Sequence, residues 1–185
     1  MDSKFWLYED AEAPILNVIF SARTIPPGRF SMYNSAKKLS GARLFFNCAN
    51  NTWYQNDIDQ ISEIIKNHRK NRHIRFYGIS MGGYACVLFG CMFPFARSIS
   101  FSPNLIMRTP FTHSWYYNFN SVKAYSNLIN ILLNRKPKNI SIFFGVNDII
   151  DMYYYGLAKL KNVSGIHAIK SSHSTAAYLD RHELL

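Results

Sequence analysis

Seven short apolar runs punctuate the chain, at residues 5–8, 15–20, 42–46, 74–79, 98–101, 140–144 and 165–169. Within each run the apolar character is nearly continuous rather than alternating. That is the pattern of strands buried on both faces of a parallel sheet. The segments between them carry helical signals. Ile58, Ile61, Ile64 and Ile65 mark one face of a helix behind the capping residues Asn56 and Asp57. Residues 84–93 are apolar throughout and stop at Pro94. Residues 122–133 end in a basic turn before Pro137, and residues 152–160 and 175–184 complete the set. Alternating strand and helix predicts an α/β fold, a doubly wound and mostly parallel sheet forming a single domain over residues 1–185. There is no internal repeat and no low-complexity linker.

Composition narrows the class without naming a function. Hydrophobic residues make up 48% and aromatic residues 16%, which excludes a disordered chain. No apolar run approaches membrane-spanning length. The start, Met1 to Trp6, shows no basic segment leading into an apolar one, so no secretory signal is expected. Cys48, Cys86 and Cys91 lack metal-ligand spacing, and the last two fall on a predicted helix as small buried hydrophobes. Together these features predict a cytoplasmic protein. The net charge is +10, gathered at Lys37-Lys38, at Lys66 with His68-Arg69-Lys70 and Arg72, and at Arg135-Lys136 with Lys138. Such groups read either as solvated surface or as a docking surface for an anionic glycan, an anionic membrane face or an acidic carrier. No nucleic-acid recognition motif accompanies them, so nucleic acid is not an expected partner.

One motif carries chemistry. Gly78-Ile79-Ser80-Met81-Gly82 is a G-x-S-x-G sequence with a strand-like run before it and a helix-like run after it. A serine on so tight a strand-to-helix turn has its Oγ clear of the sheet, and the glycines flank it where a Cβ would strike neighbouring backbone. A serine hydroxyl also needs a base to take its proton and a carboxylate to orient that base. In a doubly wound sheet both come from residues that follow later strands. Asp148, after the run 140–144 and Gly145, is the expected acid. Asp151 is its rival, set back because it falls inside the following helix. A helix N-cap is the competing role for Asp148. His173 is the expected base, because it alone among six histidines follows the last strand and precedes a helix. His167 falls within the strand pattern. For the oxyanion of an acyl-transfer intermediate, the backbone of Met81 supplies one donor, and Ser21 or Ala22 after the second strand the other.

These residues resemble the α/β-hydrolase superfamily over nearly the whole chain. Gly78 to Ala85, with Phe101-Ser102-Pro103-Asn104 and Trp53-Tyr54-Gln55, is similar to a bacterial group of small hydrolase-fold proteins linked to surface polysaccharide or glycoprotein biosynthesis. The resemblance implies a Ser80-Asp148-His173 triad acting on an acyl ester, with no cofactor and no metal. The stretch between Ser102 and Ile140 is too short for a large cap domain, so an open site is expected. Residues 104–120 are rich in aromatics and read as a short lid or a packed loop. Trp53, Tyr54, Gln55 and Trp115 are the expected substrate contacts, and the Trp and Tyr rings, with Tyr116 and Tyr117, suit stacking on sugars. Three functions fit: an esterase removing a short acyl group from a glycan or metabolite, an acyltransferase with the same triad, and a hydrolase-fold binding protein without catalysis.

Overall fold

The structure, a computed structural model, describes residues 5–107 and 126–177. Its strands are β1 (Trp6–Glu9), β2 (Ile15–Phe20), β3 (Ala42–Phe46), β4 (His73–Ile79), β5 (Arg97–Phe101), β6 (Ile140–Gly145) and β7 (Ile166–Ile169). They form one sheet in the order β1-β3-β2-β4-β5-β6-β7. All neighbouring pairs are parallel except β1 with β3. The helices are α1 (Tyr33–Ala36), α2 (Ile58–Arg69), α3 (Met81–Met92), α4 (Leu128–Arg135) and α5 (Ile149–Leu160), with a short 3-10 turn at Gln55–Asp57. Residues 175–177 begin a further helix. This is the α/β-hydrolase fold without a large cap among the described residues.

The apolar runs became strands for the reason the pattern implies: both faces of the sheet are covered. One face packs against α2 to α5 through Leu16, Val18, Phe20, Leu44, Phe46 and Phe76. The other holds Ile19, Phe45 and Tyr77 against Ala36 of α1, and Phe101 against Ala176. Phe20 is the centre of the first layer. Its ring stacks on Phe46 at 5.6 Å and on Phe89 at 5.1 Å, and meets Tyr54 edge-on at 5.3 Å.

α3 starts at Met81, three residues earlier than its apolar pattern suggested. Gly82 and Gly83 look like loop residues in sequence, yet they are helical and buried. The helix lies so close to the sheet that a Cβ on Gly82 would collide with the carbonyl of Phe20. The cysteines Cys86 and Cys91 lie on α3, are buried, and form no disulfide. Burial pushes both thiols up, Cys91 to about 11, so they are poor nucleophiles.

Strand order reverses between β2 and β4, because the chain moves outward from β2 to β3 and then returns to the other side of β2. The crevice beyond the carboxyl ends of those two strands is where such sheets bind ligands. Ser21-Ala22 follows β2 there, and Ser80 follows β4.

Phe20→Ala removes the ring shared by four aromatic partners and should lower stability by about 3–5 kcal/mol in equilibrium urea denaturation. A loss under about 1 kcal/mol would mean that the layer closes over the gap.

Candidate active site

Ser80 has φ 55° and ψ −116°, a backbone state that is costly for a residue with a Cβ. The surroundings hold it there. Its N–H donates to Phe101 O at 2.8 Å, and its carbonyl accepts the first helical bond of α3, from Tyr84 N–H at 2.9 Å. The N–H groups of Met81, Gly82 and Gly83 therefore precede the helical ladder and form the positive end of the α3 dipole. A Cβ at Gly78 would collide with the carbonyl of Gly82, so the turn can be this tight only with glycine there.

The carboxylate beside His173 is not the one the sequence suggests. Asp148 is not the partner of His173. It is the N-cap of α5, its Oδ1 accepting the N–H groups of Ile150 at 3.0 Å and Asp151 at 2.9 Å. Asp151 holds the base, with His173 Nδ1 at 2.8 Å from its Oδ1. An ionised carboxylate can only accept, so Nδ1 carries the proton and Nε2 is left as the acceptor. The physical reason lies in helix geometry. Side chains in a helix lean toward its N-terminus, so Asp151 in the first turn of α5 reaches back over the end of the sheet. Its other oxygen accepts Gly145 N–H at 2.8 Å and the Ser102 hydroxyl at 2.6 Å. Ser102 Oγ is in turn 3.0 Å from Thr175 Oγ1.

His173 sits on the loop after β7. That loop packs on Gly145, where a Cβ would collide with the carbonyls of Ser171 and Ser172. Asn147 N–H donates to Ser171 O at 2.9 Å and fixes the approach. The His173 side chain is 37% exposed and that of Asp151 only 1%, so the base is reachable while its partner is dry. Burial lowers the His173 pKa, but the hydrogen bond and charge of Asp151 and the charge of Asp148 outweigh it. The net shift is upward from the ordinary 6.5. Asp148, Asp151 and His173 bring ligand atoms within 4.8 Å of one another. Both Asp151 oxygens already accept hydrogen bonds, a donor set suited to orienting an imidazole rather than to wrapping a cation.

On the side expected to hold an oxyanion, Met81 is the first residue of α3. Ser21 does not offer its backbone donor, because its N–H is spent on Phe46 O at 2.9 Å, closing the sheet. The Ala22 N–H donates to Ser31 Oγ at 3.0 Å, and Ser31 N–H donates to Ser21 Oγ at 3.0 Å. This pair of bonds folds the segment after β2 back on itself. Asn47 reinforces the fold by donating to the carbonyls of Ile25, Pro26 and Arg29.

Trp53 and Tyr54 are not substrate contacts in this structure. Both are fully buried. Tyr54 donates its hydroxyl to Ser21 O at 2.9 Å, and Trp53 meets Tyr84 edge-on at 5.6 Å. Their sequence looked like an exposed aromatic loop, but both residues take left-handed backbone angles that turn the rings inward. Gln55 ties its carboxamide oxygen to the N–H and hydroxyl of Ser126, linking the 3-10 turn to the segment before α4. Trp115, Tyr116 and Tyr117 lie outside the described residues, as does most of the expected lid.

The basic groups lie far from Ser80. Lys37-Lys38 precede β3, the Lys66 to Arg72 group precedes β4, and Arg135 to Lys138 precede β6. All therefore stand at the amino-terminal edge of the parallel strands. Ser80, Asp151 and His173 stand at the carboxyl edge.

No protein-family model matches the chain, and no curated protein matches it in sequence. Solved structures match it in fold. The capsule O-acetyltransferase of Neisseria meningitidis serogroup A superposes with a TM-score of 0.68 at 15% identity, over 96% of this chain and 88% of that one. The Pyrococcus furiosus esterase Pf2001 gives 0.61 at 15% identity, over 96% and 82%. The glycosylation-associated Gap123 complex of Streptococcus agalactiae gives 0.63 at 14% identity, over 92% of this chain and 41% of that one.

Two substitutions separate the carboxylates. Asp151→Asn should cut kcat/KM on a soluble ester by on the order of a thousandfold or more, through loss of imidazole orientation. Asp148→Asn should keep most activity, because Asn also caps helices well. It should nevertheless move the acidic limb of the kcat/KM profile to lower pH, since one charge that raises the His173 pKa is gone. The reverse ranking in steady-state kinetics would return the acid role to Asp148.

Proposed function

We propose that the chain is a serine acyl hydrolase acting on short-chain esters, such as the acetyl ester of a glycan or a related metabolite. Ser80 is the nucleophile, His173 the base and Asp151 the residue that orients it. The observation that carries this reading is the Asp151–His173 pair, built at the same sheet edge as a strained serine elbow. The chemistry follows from those positions. Ser80 Oγ attacks the acyl carbon as its proton passes to His173 Nε2, and the Met81 N–H steadies the negative oxygen. The tetrahedral species collapses with the alkoxide taking the proton from His173. Water, deprotonated by the same nitrogen, then releases the acid and restores Ser80.

A second reading has its own support. The same acyl-enzyme gives an acyltransferase if a sugar hydroxyl replaces water, and the likeness to a capsule O-acetyltransferase favours that acceptor class. The two differ only in which nucleophile reaches the acyl-enzyme first.

A series of nitrophenyl esters from acetyl to dodecanoyl, with and without sugar acceptors, tests both. Turnover should be best for the shortest chains and fall steeply beyond about hexanoyl, as expected of a fold without a large cap. Acylated sugar forming at the expense of free acid would select the transferase. Ser80→Ala should lose several orders of magnitude in kcat and all labelling by a fluorophosphonate probe. Labelling that persists in that variant would overturn the nucleophile assignment. Because the His173 pKa lies above 6.5, kcat/KM should rise through a single ionisation above that value as the imidazole loses its proton. A rise centred below it would contradict the upward shift.

A further inference from the structure

The four longer helices α2, α3, α4 and α5 all run from the catalytic edge of the sheet to the opposite edge, because each is a crossover between parallel strands. Their carboxyl ends therefore emerge side by side, and three of them carry exposed cations at or just beyond the end. Lys70 follows α2, Lys136 and Lys138 follow α4, and Lys161 follows α5, with Arg97 opening β5 between them. The ends are physically joined. The Arg69 guanidinium lies over the Phe95 ring at 4.1 Å, and Arg135 Nη1 donates to Cys91 O at 2.6 Å. Asp57 and Asp59 open α2 and Asp148 and Asp151 open α5 at the other end, while Glu9 and Asp10, at the end of the antiparallel β1, stand at the basic edge and pair with Arg43 and Arg72.

Helix dipoles alone favour cations at carboxyl ends. A second feature of this edge is exposed apolar side chains set among cations, whereas the exposed Val146 and Ile149 at the catalytic edge stand beside Asp148. Phe95 is 52% exposed and Leu160 is 83% exposed, and both stand among these cations. Large apolar groups set in a basic surface are suited to a bilayer interface, where the rings and branched chains enter the acyl boundary and the ammonium groups stay with the phosphates.

We propose that this edge docks on an anionic lipid surface, with the catalytic edge facing away from it. No helix among the described residues is long and apolar enough to cross a membrane, so the association is peripheral. Under this arrangement the net charge of +10 recruits the protein to a surface rather than drawing an anionic substrate into the site. The proposal does not depend on the reaction at Ser80.

Sedimentation of the full chain with phosphatidylcholine vesicles, with and without phosphatidylglycerol, tests it. Binding should require the anionic lipid and weaken with salt. Lys136→Gln with Lys138→Gln should lower partitioning by about fivefold per charge removed. Phe95→Ser with Leu160→Ser should remove the part of the binding that survives high salt. Circular dichroism and nitrophenyl acetate turnover of each variant should match the unmodified protein, which separates lost docking from lost folding. Equal binding to neutral and anionic vesicles would overturn the proposal, and so would no binding to either. Capture on polyphosphate without vesicle binding would also overturn it, assigning the edge to a soluble polyanion.

Discussion

The site is organised around one buried carboxylate. Asp151 is almost fully removed from water, and an ion there is tolerable only if donors replace its hydration. Three groups do so: the Gly145 amide, the Ser102 hydroxyl and the His173 imidazole. They come from the end of β6, the end of β5 and the loop after β7. Satisfying this charge therefore fixes three neighbouring strand ends relative to α5. The elbow is fixed to the same assembly, since Ser80 N–H bonds the carbonyl of Phe101, the residue just before Ser102. The orientation of the His173 imidazole is a by-product of solvating the Asp151 carboxylate.

Much of this was legible in the sequence, and the failures have physical causes. The parallel strands were readable because burial on both faces leaves unbroken apolar runs, and every strand boundary fell within about one residue. The strand-to-helix turn at Ser80 was readable from its flanking glycines. The position of His173 after the last strand was readable too. Asp148 misled because the rule that functional residues follow strands does not count the helical turn that carries a side chain backward. The spacing Asp148-x-x-Asp151 held the missing signal: a cap followed three residues later by an acid marks a helix start and places the second acid over the strand end. Ser102 was noticed as a residue after a strand, but nothing in sequence says which carboxylate a hydroxyl will find. Trp53 and Tyr54 were misjudged because consecutive left-handed residues cannot be foreseen from aromatic identity.

The distribution of charge was also invisible in sequence, where the basic groups look scattered. Topology gathers them. In a parallel sheet every crossover ends at the same edge, so a composition rule about helix ends becomes a property of a whole face. The same logic puts the acidic helix starts beside the catalytic residues, where Asp148 adds to the upward shift of His173.

Ser102 Oγ, whose proton goes to Asp151, accepts from the Thr175 hydroxyl and so ties the buried carboxylate to helical residues 175–177. The order of assembly during synthesis follows. Ser80 and its elbow leave the ribosome before Asp151, and Asp151 is made before His173. A nascent chain ending before residue 173 carries Ser80 and Asp151 without the imidazole that Asp151 holds. The Asp151–His173 contact therefore forms only once the loop after β7 has been made, well after the serine elbow.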